Sequence, residues 1–169
     1  MKETFIFDST PLIYLGKVKV LEKIKKLQTR NIIPLPVFVE VVARGKEQGK
    51  IDAFYVGSLV ENKLFEVMKV QLTLTRLEEN SHLDMADIEV LSLAKSLKAR
   101  AILDDEEARG AADIEGILKG GSIFILFRLL KSKVITKKEC RLVVDSMLKD
   151  GWRCSTEMYA FILGELEKM

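Results

Sequence analysis

Histidine is almost missing from this chain: His82 is the only one, and it falls in a loop-like stretch with no partner for general-base chemistry. Catalysis that needs an imidazole is therefore not expected. Neither is a zinc centre, because Cys140 and Cys154 lie near the end of the chain without CxxC spacing or a neighbouring histidine. Thiols placed this way suit ordinary packing in a reducing compartment. No apolar run approaches the roughly 20 residues that cross a bilayer, and residues 1 to 20 lack the basic start, apolar middle and small-residue cleavage site of a secretion signal. The expectation is a cytoplasmic protein without a membrane partner. Repeats and low-complexity tracts are also absent, and Asn and Gln are scarce beside abundant Lys and Glu, a bias of thermophile proteins.

What is present is charge, unevenly placed. Residues 17 to 50 carry nine Lys or Arg against three acids, whereas residues 78 to 115 carry eleven acids against four bases. A net charge of +2 hides this division. A basic half facing an acidic half suits a metal site that serves a phosphate backbone, although solvated helix faces would look the same. With 169 residues and 48% apolar content, the chain is long enough for one domain with a sizeable core plus an appendage.

Strand and helix signals alternate from the start. Residues 3 to 7 read as a short buried strand, and Pro11 follows Ser9 and Thr10 at a first helical turn. A basic helix is predicted at about 18 to 28, and Ile32, Ile33 and Leu35 as a second strand closed by Pro34 and Pro36. Pro36 then opens a helix, Val37 to Arg44, with Gly45 as its stop. A further helix at 50 to 61, a strand at 64 to 68 and a helical stretch at 71 to 80 come next. Ser81 and Asp84 resemble a capping box for a helix over 84 to 98. Beyond it lie a strand at 101 to 103, a helix at 106 to 113, a strand around 117 and 118, and the turn Gly120-Gly121-Ser122 into an apolar helix, Ile123 to Leu130. This order predicts an α/β three-layer sandwich around a central parallel sheet over residues 1 to 132. Residues 133 to 169 read as an appended helical hairpin, with Thr136 and Ser155 as caps and Glu139 completing a capping box.

Within this pattern Asp8 ends the first strand, Glu40 and Asp87 sit beside apolar helix positions, and Asp104-Asp105 ends the strand at 101 to 103. A carboxylate in such a place is costly unless something neutralises it. Asp8 as a helix cap, Glu40 paired with Arg44, Asp87 in a first helical turn and Asp105 in a capped turn are the local explanations. One divalent cation accounts for all of them together, since hard ions take carboxylate oxygens.

Four stretches in order resemble the motifs of the PIN-domain superfamily of metal-dependent ribonucleases. They are Phe7-Asp8-Ser9-Thr10-Pro11-Leu12-Ile13, Pro36-Val37-Phe38-Val39-Glu40-Val41, Asp87-Ile88-Glu89-Val90-Leu91-Ser92-Leu93-Ala94 and Ile102-Leu103-Asp104-Asp105-Glu106-Glu107-Ala108-Arg109. With the tail Gly151-Trp152-Arg153-Cys154-Ser155, the match is nearest to a prokaryotic PIN-like subgroup related to VapC-type toxin ribonucleases. The resemblance implies an endoribonuclease using Mg²⁺ or Mn²⁺, with Asp8, Glu40, Asp87 and Asp105 catalytic and Asp8, Asp87, Asp105 and Asp104 near the metal. Asp84 and Glu89 remain alternatives to Asp87, and Asp104 to Asp105. Glu89 is expected to face solvent. Ser9, Ser122, Arg44 and Lys46 are the candidate substrate contacts, and Arg109 is expected to pair with nearby acids. RNA, a second copy in a homodimer and an antitoxin protein are the implied partners. A PIN-like module that binds without cleaving is the principal rival. A phosphoacceptor with Asp8 or Asp105 as nucleophile, which needs a lysine such as Lys119 at a strand end, is a weaker one.

Overall fold

The computed structural model describes residues 2–169. At its centre is a five-stranded parallel sheet built from β1 (Thr4–Phe7), β2 (Arg30–Pro34), β3 (Glu66–Met68), β4 (Arg100–Ile102) and β5 (Lys119–Gly120), in the order β3-β2-β1-β4-β5. Phe5, Ile6 and Phe7 are fully buried, as expected of a central strand covered on both faces. The register sets Phe7 against Ile102, so the chain leaves β1 and β4 at the same level.

The direction of the crossovers sorts the helices into layers. From β1 the chain steps outward to β2 and β3 through α1 (Ser9–Lys17) and α4 (Ile51–Glu61), which pack together. It then returns across the sheet to β4, so a right-handed connection puts α6 (Met85–Ser96) on the opposite face, where it lies over β1, β2 and β4. α7 (Glu106–Ile114) follows on that face. α8 (Ser122–Lys131) and α9 (Lys137–Lys149) pack back on α1, and α10 (Thr156–Lys168) ends the chain. Cys140, Val144, Met147, Trp152, Ile162 and Leu166 share one buried cluster with the sheet, so the last two helices are tied to the same core.

Several local expectations shift. The basic stretch folds as a 3₁₀ segment, Leu21–Leu27, and the stretch at 71 to 80 gives only the single turn α5 (Thr75–Glu78). The fifth strand lies at Lys119–Gly120 instead of 117 and 118. Leu35 leaves the second strand to begin α2 (Leu35–Phe38), whose first turn holds Pro36. The cap of α6 is an Asp84–Asp87 box rather than one opened by Ser81: Asp84 Oδ1 accepts the Asp87 N–H at 2.8 Å and Asp87 Oδ2 accepts the Asp84 N–H at 3.0 Å. Thr136 and Glu139 make the expected box on α9, and Ser155 caps α10.

Gly45 does not stop its helix. α2 runs through a π-helical turn, Val39–Arg44, into α3 (Gly45–Glu47), because the glycine serves packing: a Cβ there would stand 2.6 Å from the Ala53 Cβ on α4. Gly45→Ala is therefore expected to cost about 1–3 kcal/mol by overpacking, read as a lowered midpoint in urea denaturation with an unchanged slope.

Candidate functional site

Strand order reverses between β1 and β4, and in open parallel sheets ligands bind beyond the carboxyl ends of the strands at that switch point. Asp8 stands there. Its N–H donates to the Ile102 carbonyl at 3.1 Å, pinning the end of β1 to β4, and its side chain makes no cap bond to α1 although it occupies the cap position. Burial pushes its carboxyl from 3.8 up to about 7, and the negative charges of Asp87, Glu40 and Asp84 push the same way, while the Ser9 N–H offsets part. Asp87 is raised to about 6, first by burial and then by Asp84 and Asp105. These five acids, drawn from four separate stretches, share one electrostatic environment.

Each is aimed by a specific local device. Glu40 projects from the π-helical turn, and its Oε2 accepts the Ser9 hydroxyl at 2.7 Å. Turns of this kind recur at functional sites, because the wider coil re-aims side chains. Asp105 caps α7 through the Ala108 N–H at 3.0 Å and stays exposed. Asp84 and Asp87 fix each other through their shared box. Among the described residues, none of the five forms an ion pair with Lys or Arg.

Other candidates are placed differently from expectation. Asp104 turns toward α8: Oδ1 accepts the Ser122 N–H at 2.7 Å, and Oδ2 accepts the Ser122 hydroxyl at 2.6 Å and the Trp152 Nε1–H at 3.0 Å. It braces the turn into α8, and Ser122, fully buried with both donors engaged, has no group to offer a substrate. Lys46 faces α4, with Nζ 3.8 Å from Glu61 and over the Phe54 ring. Arg44 borders a cleft with Glu40 and Asp84. Among the described residues Arg109 pairs with no acid; Nη1 donates to the carbonyls of Leu103 at 2.9 Å and Gly120 at 3.1 Å, clamping the ends of β4 and β5. Lys119 is spent on Asp113, which removes the lysine that a phosphoacceptor would need. Glu89 is half-buried instead of solvent-facing, with its carboxyl raised by burial and lowered in part by Lys69.

Trp152 was not foreseen as part of this region. The signal was available, since it is the single tryptophan and lies in the tail motif, but only the folded chain shows it bonded to Asp104. Beside Asp105, a cleft of about 740 Å³ runs between Thr10, Tyr14, the start of α7 and the Gly151 to Ser155 segment.

The family profile described as a PIN domain matches residues 4–168. The chain belongs to the PIN-domain family. PIN domains are commonly nucleases and typically use divalent metals. Among solved structures, this PIN domain is similar to a PilT N-terminus domain protein from the hyperthermophilic archaeon Sulfolobus solfataricus P2, at 14% identity and a TM-score of 0.52, over 76% of this chain and 92% of that one. A domain of a functionally unknown protein from Methanocaldococcus jannaschii DSM 2661 matches at 18% identity and a TM-score of 0.49, over 70% of this chain and 90% of that one. No curated protein matches. The first likeness shows the fold, a PIN-like sandwich. No helix among the described residues is long and apolar enough to cross a membrane.

Whether the acids suit a metal rests on charge and geometry, and the two differ. The donor set is all carboxylate, mutually repelling and, among the described residues, without an ion-paired Lys or Arg, which matches hard divalent ions. Yet among the described residues no three His, Cys, Asp or Glu side chains stand close enough together to hold one ion. The donors fit a hard ion in kind.

The pH dependence follows from the raised values. A carboxyl lifted from 3.8 to about 7 on folding favours the protonated native form, so its stabilisation is complete below 3.8 and is lost as pH rises toward 7. In chelator, stability should fall between about pH 4 and pH 7, with at most about 4 kcal/mol from Asp8 at roughly 1.4 kcal/mol per pH unit. Asp8→Asn should flatten that slope and raise the melting temperature at pH 8; a variant with the wild-type slope would contradict this account.

Proposed function

We propose that this PIN domain is an endoribonuclease that hydrolyses RNA phosphodiester bonds with Mg²⁺ or Mn²⁺. The observation that carries the reading is the set of carboxylates held in one environment at the β1/β4 switch point, where Asp8 is forced up to about 7 and, among the described residues, no Lys or Arg forms an ion pair with the set. Asp8, Asp87 and Asp105 would hold the ion, with Glu40 as a further ligand or a group orienting water, and Asp84 beside Asp87. A bound ion of this kind acidifies water and neutralises charge developing on phosphoryl oxygens.

The chain's own residues set the rest. Ser9 fixes the Glu40 carboxylate by one hydrogen bond, so Glu40 keeps its second oxygen for water or ion. Asp104, saturated by Ser122 and Trp152, holds the strand end that presents Asp105. Arg44, which lines a cleft with Glu40 and Asp84, would meet an RNA phosphate. A role as the toxin of a toxin-antitoxin pair, and assembly as a homodimer, extend this proposal through the subgroup resemblance; a cytoplasmic location accords with it.

A second reading is supported by the spread of the carboxylates, no three of which stand close enough to share one ion among the described residues: a PIN module that binds nucleic acid or protein without cleaving. One experiment separates them. Purified protein is incubated with labelled single-stranded RNA and Mn²⁺ or Mg²⁺, beside an Asp8→Asn variant and a chelator control. The nuclease reading expects cleavage that chelator abolishes and that the variant slows by at least about a hundredfold, near 3 kcal/mol of barrier. Equal behaviour of the two proteins rejects it in favour of the binding module.

A further inference from the structure

A cleft of about 630 Å³ adjoins the acidic site and shares Glu40 and Asp84 with it. Its other walls differ in character. Leu35, Val39 and Met85 supply exposed apolar surface, and Arg44 and Lys69 supply charge. Among the described residues neither cation has an ion-pair or hydrogen-bond partner, although Lys69 is close enough to Glu89 to be felt by its carboxyl. Glu89 also lines this cleft, and its Oε2 is shut off from solvent without a donor.

That oxygen is unusual. A buried acceptor left without a partner costs about 1–3 kcal/mol, and native folds rarely keep one without a reason. Met85 lies one helical turn before Glu89 on the same face of α6, is unbranched and is 58% exposed, so it yields readily to an entering group. An occupant that satisfies the whole cleft carries an anion for Arg44 and Lys69, a flat apolar body for Leu35 and Val39, and an N–H donor for Glu89. An unpaired nucleotide has all three.

Resting on the ribonuclease reading, we propose that this cleft is the subsite for one unpaired nucleotide of single-stranded RNA beside the scissile bond. Arg44 and Lys69 take its phosphate, and Glu89 accepts a hydrogen bond from the exocyclic amino group of its base. The subsite therefore favours adenine, cytosine or guanine over uracil, which has no such amino group and whose one base N–H, at N3, lies between two carbonyl oxygens that repel a carboxylate. Glu89 is a specificity residue here, distinct from the acids at the switch point.

The test is binding of labelled single-stranded homopolymers of A, C and U by fluorescence anisotropy in chelator, where no cleavage interferes. Wild-type protein should bind oligo(A) and oligo(C) at least about fivefold more tightly than oligo(U), the share of one buried hydrogen bond. Glu89→Gln, which keeps shape but turns one acceptor into a donor, should bring the three within about twofold. Arg44→Ala with Lys69→Ala should weaken all three by about tenfold and lessen the salt dependence, without changing their ratio. Equal wild-type affinity for the three oligomers, discrimination that survives Glu89→Gln, or full affinity in the double variant overturns the assignment. Discrimination that persists in a protein unable to cleave supports this subsite while rejecting the nuclease reading. Cleavage without discrimination rejects the subsite alone.

Discussion

Uncompensated negative charge at the carboxyl ends of β1 and β4 is the constraint around which this molecule is arranged. Asp8 is almost wholly buried there, with Glu40, Asp84, Asp87 and Asp105 adding like charge and no Lys or Arg paired with the group among the described residues. A fold selected only for stability would exchange these acids for apolar or paired residues, because burying an unpaired carboxylate opposes folding. Their gathering in one place is a strain of the kind that a cationic ligand would relieve, and such perturbed groups cluster at functional sites.

The surrounding architecture serves to hold that strain. The reversal of strand order brings Asp8 beside the Asp104-Asp105 corner, and α6 crosses the sheet so that its first turn delivers Asp84 and Asp87. Braces then fix the corner: Ser122 and Trp152 saturate Asp104, while Arg109 ties the carbonyls of β4 and β5. Because Trp152 lies between α9 and α10, the C-terminal helices are mechanically continuous with the site. The π-helical turn does the same for Glu40 from the other side.

Much of the fold was legible because the buried strands and amphipathic helices carry strong periodicity. β1, β4 and the last two helices lie close to their expected places. The misplacements share a cause: tertiary contact overrode a local signal. Gly45 reads as a stop but serves a close helix crossing, and Glu89 reads as solvated but is half-buried in the cleft that Lys69 borders.

The sequence by itself determined which residues carry negative charge, that they follow strands or open helices, and that the chain alternates into a parallel sheet, since all of these depend on neighbours along the chain. Only the tertiary structure decided which oxygens face the shared site. Asp104 and Asp105 are adjacent and chemically identical, yet one is consumed by Ser122 and Trp152 while the other stays exposed beside the acids. That choice depends on donors arriving from distant segments, and periodicity does not encode it.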